Sequence, residues 1–320
     1  MYYIGVDLGG TNIAVGVVDS NMKIIAKGSV PTLPDRDGEL IVRDMANLAG
    51  NLIKKCGLKV SDIASAGIAS PGSIDHNNGI VACAHNLPFK NFPITDYFKK
   101  YLPVEKVLLE NDANAAALAE SLAGAARGTK NSIMITLGTG VGGGIVIDNK
   151  VYSGFNGAAG ELGHIVIAHG GRLCSCGRRG CWEAYSSATG LVNMTKEKLA
   201  QCRSLGIKTL MEDEVALNNG KANARTAFNA QKRGDKAGKE VVREYLSYLS
   251  CGIINMINIF QPEVLSIGGG VCNEGENLLK PLLELIDEEQ FTKDASKKTK
   301  IKLAELGNDA GIIGAAGLGL

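Results

Sequence analysis

The chain has 320 residues, 45% of them hydrophobic, a single Trp and a formal net charge of +1. That length allows two domains and a large core, while the neutral balance gives no footprint for nucleic acid, a membrane surface or an acidic partner. No apolar run approaches the ~20 uncharged residues of a membrane span, and a first positive charge at Lys23 does not suit a signal peptide.

Residues 2–19 read as strand, glycine turn, strand, from their alternation of apolar and small residues and their β-branched content. A third strand is expected over 24–30 and a helix over 39–56, where apolar positions recur at helical spacing. Residues 63–69 form a short apolar strand that runs into the Ser70-Pro71-Gly72 turn. The strand at 104–109 leads into Glu110-Asn111-Asp112 and an Ala-rich helix to Glu120, with Asn111 or Asp112 as its N-cap. Residues 133–148 repeat the plan of the first hairpin: Leu-Gly followed closely by Thr, then an apolar strand closed by Asp. Two such hairpins half a chain apart suggest a duplicated domain. Beyond them, 186–260 are helix-rich with a break near Gly220, and a strand at 262–267 enters Gly268-Gly269-Gly270. The Lys-rich stretch 293–302 reads as a solvated face. A last helix, 309–318, capped by Asn308 or Asp309, could pack back on the first domain.

Glycine is the compositional outlier, at 41 residues in short clusters. Its physical use in these turns is anion binding, because backbone N–H groups approach a phosphate with no Cβ in the way and a Thr hydroxyl adds a donor. Neither the P-loop pattern nor the dinucleotide fingerprint occurs. Asp112 lies where a strand gives way to a helix, a favoured place for site residues in open α/β sheets. It is either a helix cap or a carboxylate that orients and deprotonates a hydroxyl acceptor.

Between Glu161 and Glu183 the chain writes Glu-Leu-Gly-His164, then Cys174-Ser-Cys176-Gly-Arg-Arg-Gly-Cys181-Trp-Glu183. Three thiols and one imidazole are a Cys₃His set, which gives a closed tetrahedral structural zinc site. Gly177 and Gly180 allow the tight turns between ligands. From spacing alone His169 competes with His164 as the fourth ligand. The other five cysteines (Cys56, Cys83, Cys202, Cys251 and Cys272) read as reduced and mostly buried, which suits a cytoplasmic protein. His76 and His85 read as surface or satisfied core residues. Asn111, Glu161, His164 and Glu183 are two-sided hydrogen-bonding groups of the kind a polyhydroxylated ligand requires.

Together these motifs resemble the ROK family of repressors, open reading frames and kinases, most closely its bacterial glucokinases, over essentially the whole chain. Asp7-Leu-Gly9-Gly10-Thr11 looks like the family's first phosphate motif and Leu137-Gly138-Thr139-Gly140 like its second. Ala69-Ser-Pro-Gly72, Glu110-Asn-Asp-Ala-Asn114, Glu161-x-Gly-His164 and the cysteine run match its other signatures, the last two being the most specific. The resemblance implies an α/β, actin-like ATPase (ribonuclease H-like) fold, duplicated into two domains around an interdomain cleft. It implies a smaller domain of 1–110 with 305–320 and a larger one of 111–304 carrying the zinc loop. It implies transfer of the γ-phosphoryl group of Mg²⁺·ATP to the 6-hydroxyl of glucose. Residue by residue, Asp112 becomes the base, and Gly72, Asn111, Asp112, Glu161, His164 and Glu183 hold the sugar. His164, Cys174, Cys176 and Cys181 bind Zn²⁺. Asp7 acts near Mg²⁺ beside Gly9, Gly10 and Thr11, while Gly138, Thr139, Gly140, Gly269 and Gly270 face the nucleotide. A homodimer is the family's habit. One departure is His85 in Ala84-His85-Asn86-Leu87-Pro88, where the family's glucokinases more often carry Pro; it bears on fine sugar specificity.

Three rivals follow from the same residues. A kinase for N-acetylmannosamine, N-acetylglucosamine or fructose would differ in the room beside the sugar's 2-position. A sugar-responsive repressor needs a DNA-reading helix-turn-helix, usually ahead of the first phosphate motif, and Asp7 leaves it little space. An actin-like ATPase acting on a protein would not need the polar constellation around the zinc ligands.

Overall fold

The computed structural model describes residues 1–84 and 86–320; the expectations attached to His85 lie outside the described residues. In chain order the strands are β1 (Tyr2–Leu8), β2 (Asn12–Asp19), β3 (Ile24–Pro31), β4 (Ile63–Ser70), β5 (Ser73–Asp75), β6 (Ile80–Cys83), β7 (Lys90–Phe92) and β8 (Val107–Asn111), followed by β9 (Ser132–Leu137), β10 (Val141–Ile147), β11 (Lys150–Val151), β12 (Val264–Gly268) and β13 (Lys300–Leu303). The helices are α1 (Gly38–Lys55), α2 (Ile94–Tyr101), α3 (Asp112–Leu122), α4 (Glu183–Ser186), α5 (Ala188–Ser204), α6 (Met211–Leu217), α7 (Thr226–Lys232), α8 (Lys236–Phe260), α9 (Glu276–Glu289) and α10 (Ala310–Gly317). One five-stranded sheet has the order β3-β2-β1-β4-β8 and a second the order β11-β10-β9-β12-β13; a small third sheet runs β5-β6-β7. Each large sheet begins with three sequential strands at one edge and then takes two later ones. That shared plan is the duplication the two glycine hairpins suggested.

The chain divides into two compact units, Met1–Met134 with Gly144–Gly160 and Ala304–Leu320, and Ile135–Gly143 with Glu161–Leu303. In the first, β1 pairs antiparallel with β2 and parallel with β4, which pairs parallel with β8. β1 and β4 are buried nearly throughout, as strands covered on both faces must be. The edge strand β3 alternates along its length because only one of its faces is covered. α1 lays Ile41, Val42, Met45, Ala49, Leu52 and Ile53 on the sheet from one apolar stripe, and the Asp37 carboxylate caps it by accepting the Glu39 N–H at 2.7 Å. α10 packs on β1, β4 and α3. The Asp309 carboxylate does not cap it; it accepts from Lys27 Nζ at 2.6 Å.

In the second unit the 25-residue α8 is the spine. The Asp235 carboxylate caps it through the Gly238 N–H at 2.7 Å, and Gln261 ends it in the left-handed conformation. Its Tyr245 hydroxyl donates to the Ser186 carbonyl at 2.7 Å, and its Tyr248 carbonyl accepts from fully buried Trp182 Nε1 at 3.1 Å. The chain on either side of Glu183 is therefore fixed to the core by two side-chain hydrogen bonds and a large ring.

Several boundaries differ from expectation. The strand before Asp112 begins at Val107 rather than at 104, because Val104 belongs to the turn after α2, where its N–H donates to the Leu102 carbonyl. The helical region after 186 breaks at 205–210, 218–225 and 233–235 rather than only near Gly220. β5, β6 and β7, of three or four residues each, are too short for a periodic signal. The Lys-rich stretch is partly a strand: β13 turns Ile301 inward and Lys300 and Lys302 outward. Of the five remaining cysteines only Cys202 is fully buried, whereas Cys83 is exposed and Cys56, Cys251 and Cys272 are half-buried.

Candidate active site and metal centre

Three parallel strands end side by side in the first unit. Asp7 stands level with Ala69, and Ala69 with Glu110; Ser70 stands level with Asn111. The carboxyl ends of β1, β4 and β8 thus present Asp7, the Ser70–Gly72 turn and Asn111-Asp112 along one sheet edge, the usual location of a ligand site in such sheets. The N-cap question resolves in favour of Asn111, whose Oδ1 accepts the N–H groups of Ala113 at 2.9 Å and Asn114 at 3.3 Å. Its Nδ2 donates to the Gly72 carbonyl at 3.3 Å. Gly72 has φ +101°, a left-handed value that suits glycine, and a Cβ there would strike the Cys83 carbonyl. With Asn111 holding two N–H groups of α3, Asp112 shares only one of them, the Ala113 N–H, which its Oδ1 accepts at 2.9 Å, and is spared the main capping role.

Burial pushes the Asp112 carboxyl above the ordinary carboxylate range, against the pull of the Ala113 N–H and the Asn111 side chain. Its surface remains open to water, so crowding on the other sides, rather than enclosure, sets that direction. Burial first, and the Asp112 charge second, push Asp7 up to about 6. The turn at Gly9, Gly10 and Thr11, which follows β1, is pinned by two hydrogen bonds: Gly9 N–H donates to the Asn12 carbonyl at 3.0 Å and the Thr32 hydroxyl to the Gly9 carbonyl at 2.6 Å. Thr11 is exposed.

The second unit carries the other predicted residues. His164 closes a short 3₁₀ turn, Leu162–His164, and Glu161 precedes it at the surface. The cysteine loop folds on itself through Cys174 N–H to the Arg178 carbonyl at 2.9 Å and Gly180 N–H to the Arg172 carbonyl at 2.8 Å, with Gly177 and Gly180 at φ +85° and +86°. These turns bring His164, Cys174, Cys176 and Cys181 together, their ligand atoms all within 4.8 Å of one another. His169 is exposed and outside the cluster.

Tetrahedral zinc, with sulfur at about 2.3 Å and nitrogen at about 2.0 Å, separates two thiolates by ~3.8 Å and a thiolate from an imidazole nitrogen by ~3.5 Å. Here Cys176 Sγ lies 3.7 Å from Cys181 Sγ, and Cys174 Sγ 3.6 Å from His164 Nδ1. The residues fit the ion. Burial pushes the Cys181 thiol up to about 12, while the Arg178 backbone N–H, ahead of the neighbouring thiols, pulls Cys176 down. A coordinated cation deprotonates such thiols outright.

Glu183 links this centre to the second glycine turn. Its Oε1 accepts the Ser175 hydroxyl at 2.7 Å and its Oε2 the Val141 N–H at 3.1 Å. The turn is held from the other side by Ala188 N–H on the Gly138 carbonyl at 2.9 Å and the Thr189 hydroxyl on the Thr139 carbonyl at 2.7 Å. Thr139, Gly140, Ser175 and Glu183 line a pocket of about 680 Å³ together with Arg172 and Asn193. Gly269, at φ +90°, lies against the Leu137 backbone, and Gly270 opens the 3₁₀ turn after β12.

The sequence model of the ROK family matches residues 3–320. The chain belongs to the ROK family. Among ROK proteins it is similar to a glucokinase of Halalkalibacterium halodurans, 37% identical over 98% of this chain and 93% of that one. It is also similar to a glucokinase of Thermotoga maritima, 38% identical over 98% and 96%. A ROK glucokinase from Streptomyces griseus, solved with glucose and AMPPNP, superposes with a TM-score of 0.78 at 33% identity over 99% of both chains. The fold is the actin-like ATPase fold of ROK sugar kinases.

Three residues of the site escaped sequence reasoning. Glu110 was legible only as part of a motif, Ser175 only as the spacer between two cysteines, and Arg172 not at all. The one usable signal was a Glu closing an apolar strand, where a charge demands a partner.

Proposed function

We propose that the chain is an ATP-dependent glucokinase, transferring the γ-phosphoryl group of ATP to the 6-hydroxyl of glucose to give glucose 6-phosphate and ADP. Similarity to glucokinases over nearly the whole chain supports the reaction. The observation that carries the mechanism is the division of labour at the start of α3. Asn111 caps the helix, and Asp112 is left facing water with its proton affinity raised by burial.

Asp112 acts as the base. It orients the sugar hydroxyl and accepts its proton as the phosphoryl group departs, which makes it mainly a positioner of the attacking oxygen. Such assistance is worth about 10²–10⁴-fold. We assign Gly72, Asn111, Glu161, His164 and Glu183 to the sugar hydroxyls. His164 faces Cys174 with Nδ1, so Nε2 is the nitrogen offered to the sugar. Gly9, Gly10, Thr11, Gly138, Thr139, Gly140, Gly269 and Gly270 serve the nucleotide. Asp7 lies where it would assist Mg²⁺, which neutralises charge on the transferring phosphates. His164, Cys174, Cys176 and Cys181 hold Zn²⁺, whose four protein ligands leave no position for catalysis. None of the eight cysteines is in a disulfide, which suits a reducing cytoplasm, and we take the working form to be a homodimer.

The test is product identity. ³¹P and ¹³C spectra of the reaction with glucose should place the new phosphate on carbon 6. A phosphate on any other hydroxyl defeats the assignment.

A further inference from the structure

The side chain beneath Asn111 and Asp112 is a buried carboxylate that the reaction as described does not use. Glu110 has a side chain only 6% exposed and closes β8 one residue before the cap. Its Oε1 accepts the Asn111 N–H at 2.8 Å and Asn114 Nδ2 at 3.0 Å. Its Oε2 accepts the Ser153 hydroxyl at 3.2 Å and lies 3.6 Å from His76 Nδ1, which itself stands 3.1 Å from the Leu109 carbonyl. His76 is half-buried, and its Nε2 has no hydrogen-bond partner among the described residues. Burying an anion is costly unless donors surround it. Three donors converge on this one from three segments: the β8–α3 junction, the first turn of α3 and the turn before Gly154.

We infer that Glu110 is a positioning residue for the phosphoryl-transfer reaction: it fixes the junction from which Asp112 projects. The geometry assigns it two tasks. By holding the Asn111 N–H, it sets the backbone at the cap, so that one Asn side chain both caps α3 and holds the Gly72 carbonyl. By holding Asn114 Nδ2, it fixes the first turn of the helix on which Asp112 is the opening residue. Ser153 ties the same anion to the loop that follows β11. Catalysis by positioning is sensitive to small displacements, about 10²-fold for 1 Å, so an exposed carboxylate at Asp112 needs a rigid support behind it. The inference rests on the reading of Asp112 as the base.

The experiment uses the full chain and the variants Glu110→Gln, Glu110→Ala, Asp112→Asn and the double variant Glu110→Gln/Asp112→Asn. Steady-state kcat and KM for glucose and ATP are measured together with Tm and zinc content. Gln can reach the same partners, but it puts a donor in place of Oε2 and removes the charge that makes these hydrogen bonds about twice as strong as neutral ones. It should therefore fold with near-native Tm and zinc while the junction is held less firmly. Its kcat should fall about tenfold or more, toward the 10²-fold of a misplaced group, with KM for ATP unchanged. In the Asp112→Asn background the same change should cost nothing further, because residues that act as one unit are not additive. Wild-type kcat in a folded Glu110→Gln, or losses that multiply in the double variant, would overturn the proposal. Glu110→Ala leaves three donors without their acceptor, one of them buried; if it does not fold, Gln decides alone. Should Asp112→Asn itself keep a tenth of the turnover, the base assignment falls and takes this proposal with it. An inert Asp112→Asn beside an unimpaired Glu110→Gln defeats only the role of Glu110.

Discussion

Replacing Asp7 with Asn should make the protein more stable and less active, with a gain that depends on pH. Burial and the neighbouring Asp112 raise the Asp7 carboxyl from 3.8 to about 6. Its folded-state pKa therefore exceeds its unfolded one. Between those values the folded chain binds more protons than the unfolded chain, so stability falls as pH rises through the window and stays low above it. Two units at about 1.4 kcal/mol each put the cost near ~3 kcal/mol at pH 8, as an upper figure. At pH 4.5 only about 1 kcal/mol of it has developed, and below pH 3.8 almost none. Asn removes the charge at nearly constant shape, so Tm should rise by about 2 °C for each kcal/mol relieved, roughly 6 °C at pH 8. At pH 4.5 the gain should shrink to about a third of that. Thermal unfolding of both proteins at the two pH values, followed by circular dichroism, measures it. A lower Tm at pH 8, or a gain of equal size at both pH values, would refute the reasoning. Turnover should collapse in the same variant, the trade expected where a strained charge serves function.

Other consequences can be checked alongside. Asp112→Ala should fold and bind glucose more weakly, yet lose turnover by about 10²–10⁴-fold; retention of a tenth of the wild-type kcat removes Asp112 as the base. Cys176→Ser should lose zinc and sugar affinity together, since structural zinc contributes roughly 10–16 kcal/mol of apparent binding energy in small peptides. An unchanged KM for glucose in a sample that elemental analysis finds free of zinc would show that the metal does not brace the site. Glu120, 1% exposed, accepts the N–H groups of Ala125 at 2.7 Å, Glu305 at 3.0 Å and Leu306 at 2.9 Å. Glu120→Ala should cost about 2 kcal/mol or more in a denaturant titration, because it removes the acceptor of one buried and two part-buried N–H groups, and a loss under about 1 kcal/mol would show that water replaces the carboxylate.

The residues that declared themselves in the sequence were those whose chemistry is local. Cys174, Cys176, Cys181 and His164 lie within 18 positions, and their glycines mark the turns that close the ring, so the metal centre could be written down before any fold. Periodicity gave α1, alanine content gave α3, and the two glycine hairpins gave the duplication seen in the sheet orders. What stayed hidden depends on distance along the chain. Glu110 acquires its role only when Ser153 and His76 arrive from other elements, and Glu183 only when Val141 and Ser175 claim its two oxygens. The choice between Asn111 and Asp112 as helix cap was undecidable by residue type, because both side chains cap well; backbone geometry made it. β5, β6 and β7 and the edge strand β13 are short enough that tertiary pairing, rather than their own pattern, makes them strands.

The central claim, that this chain phosphorylates glucose, is tested most directly by kcat/KM from coupled ADP release across glucose, fructose, mannose, N-acetylglucosamine and N-acetylmannosamine. The account predicts that glucose gives the highest value and that turnover disappears in Asp112→Ala. A preference for either N-acetyl sugar, or ADP release that is independent of any hexose, would contradict it.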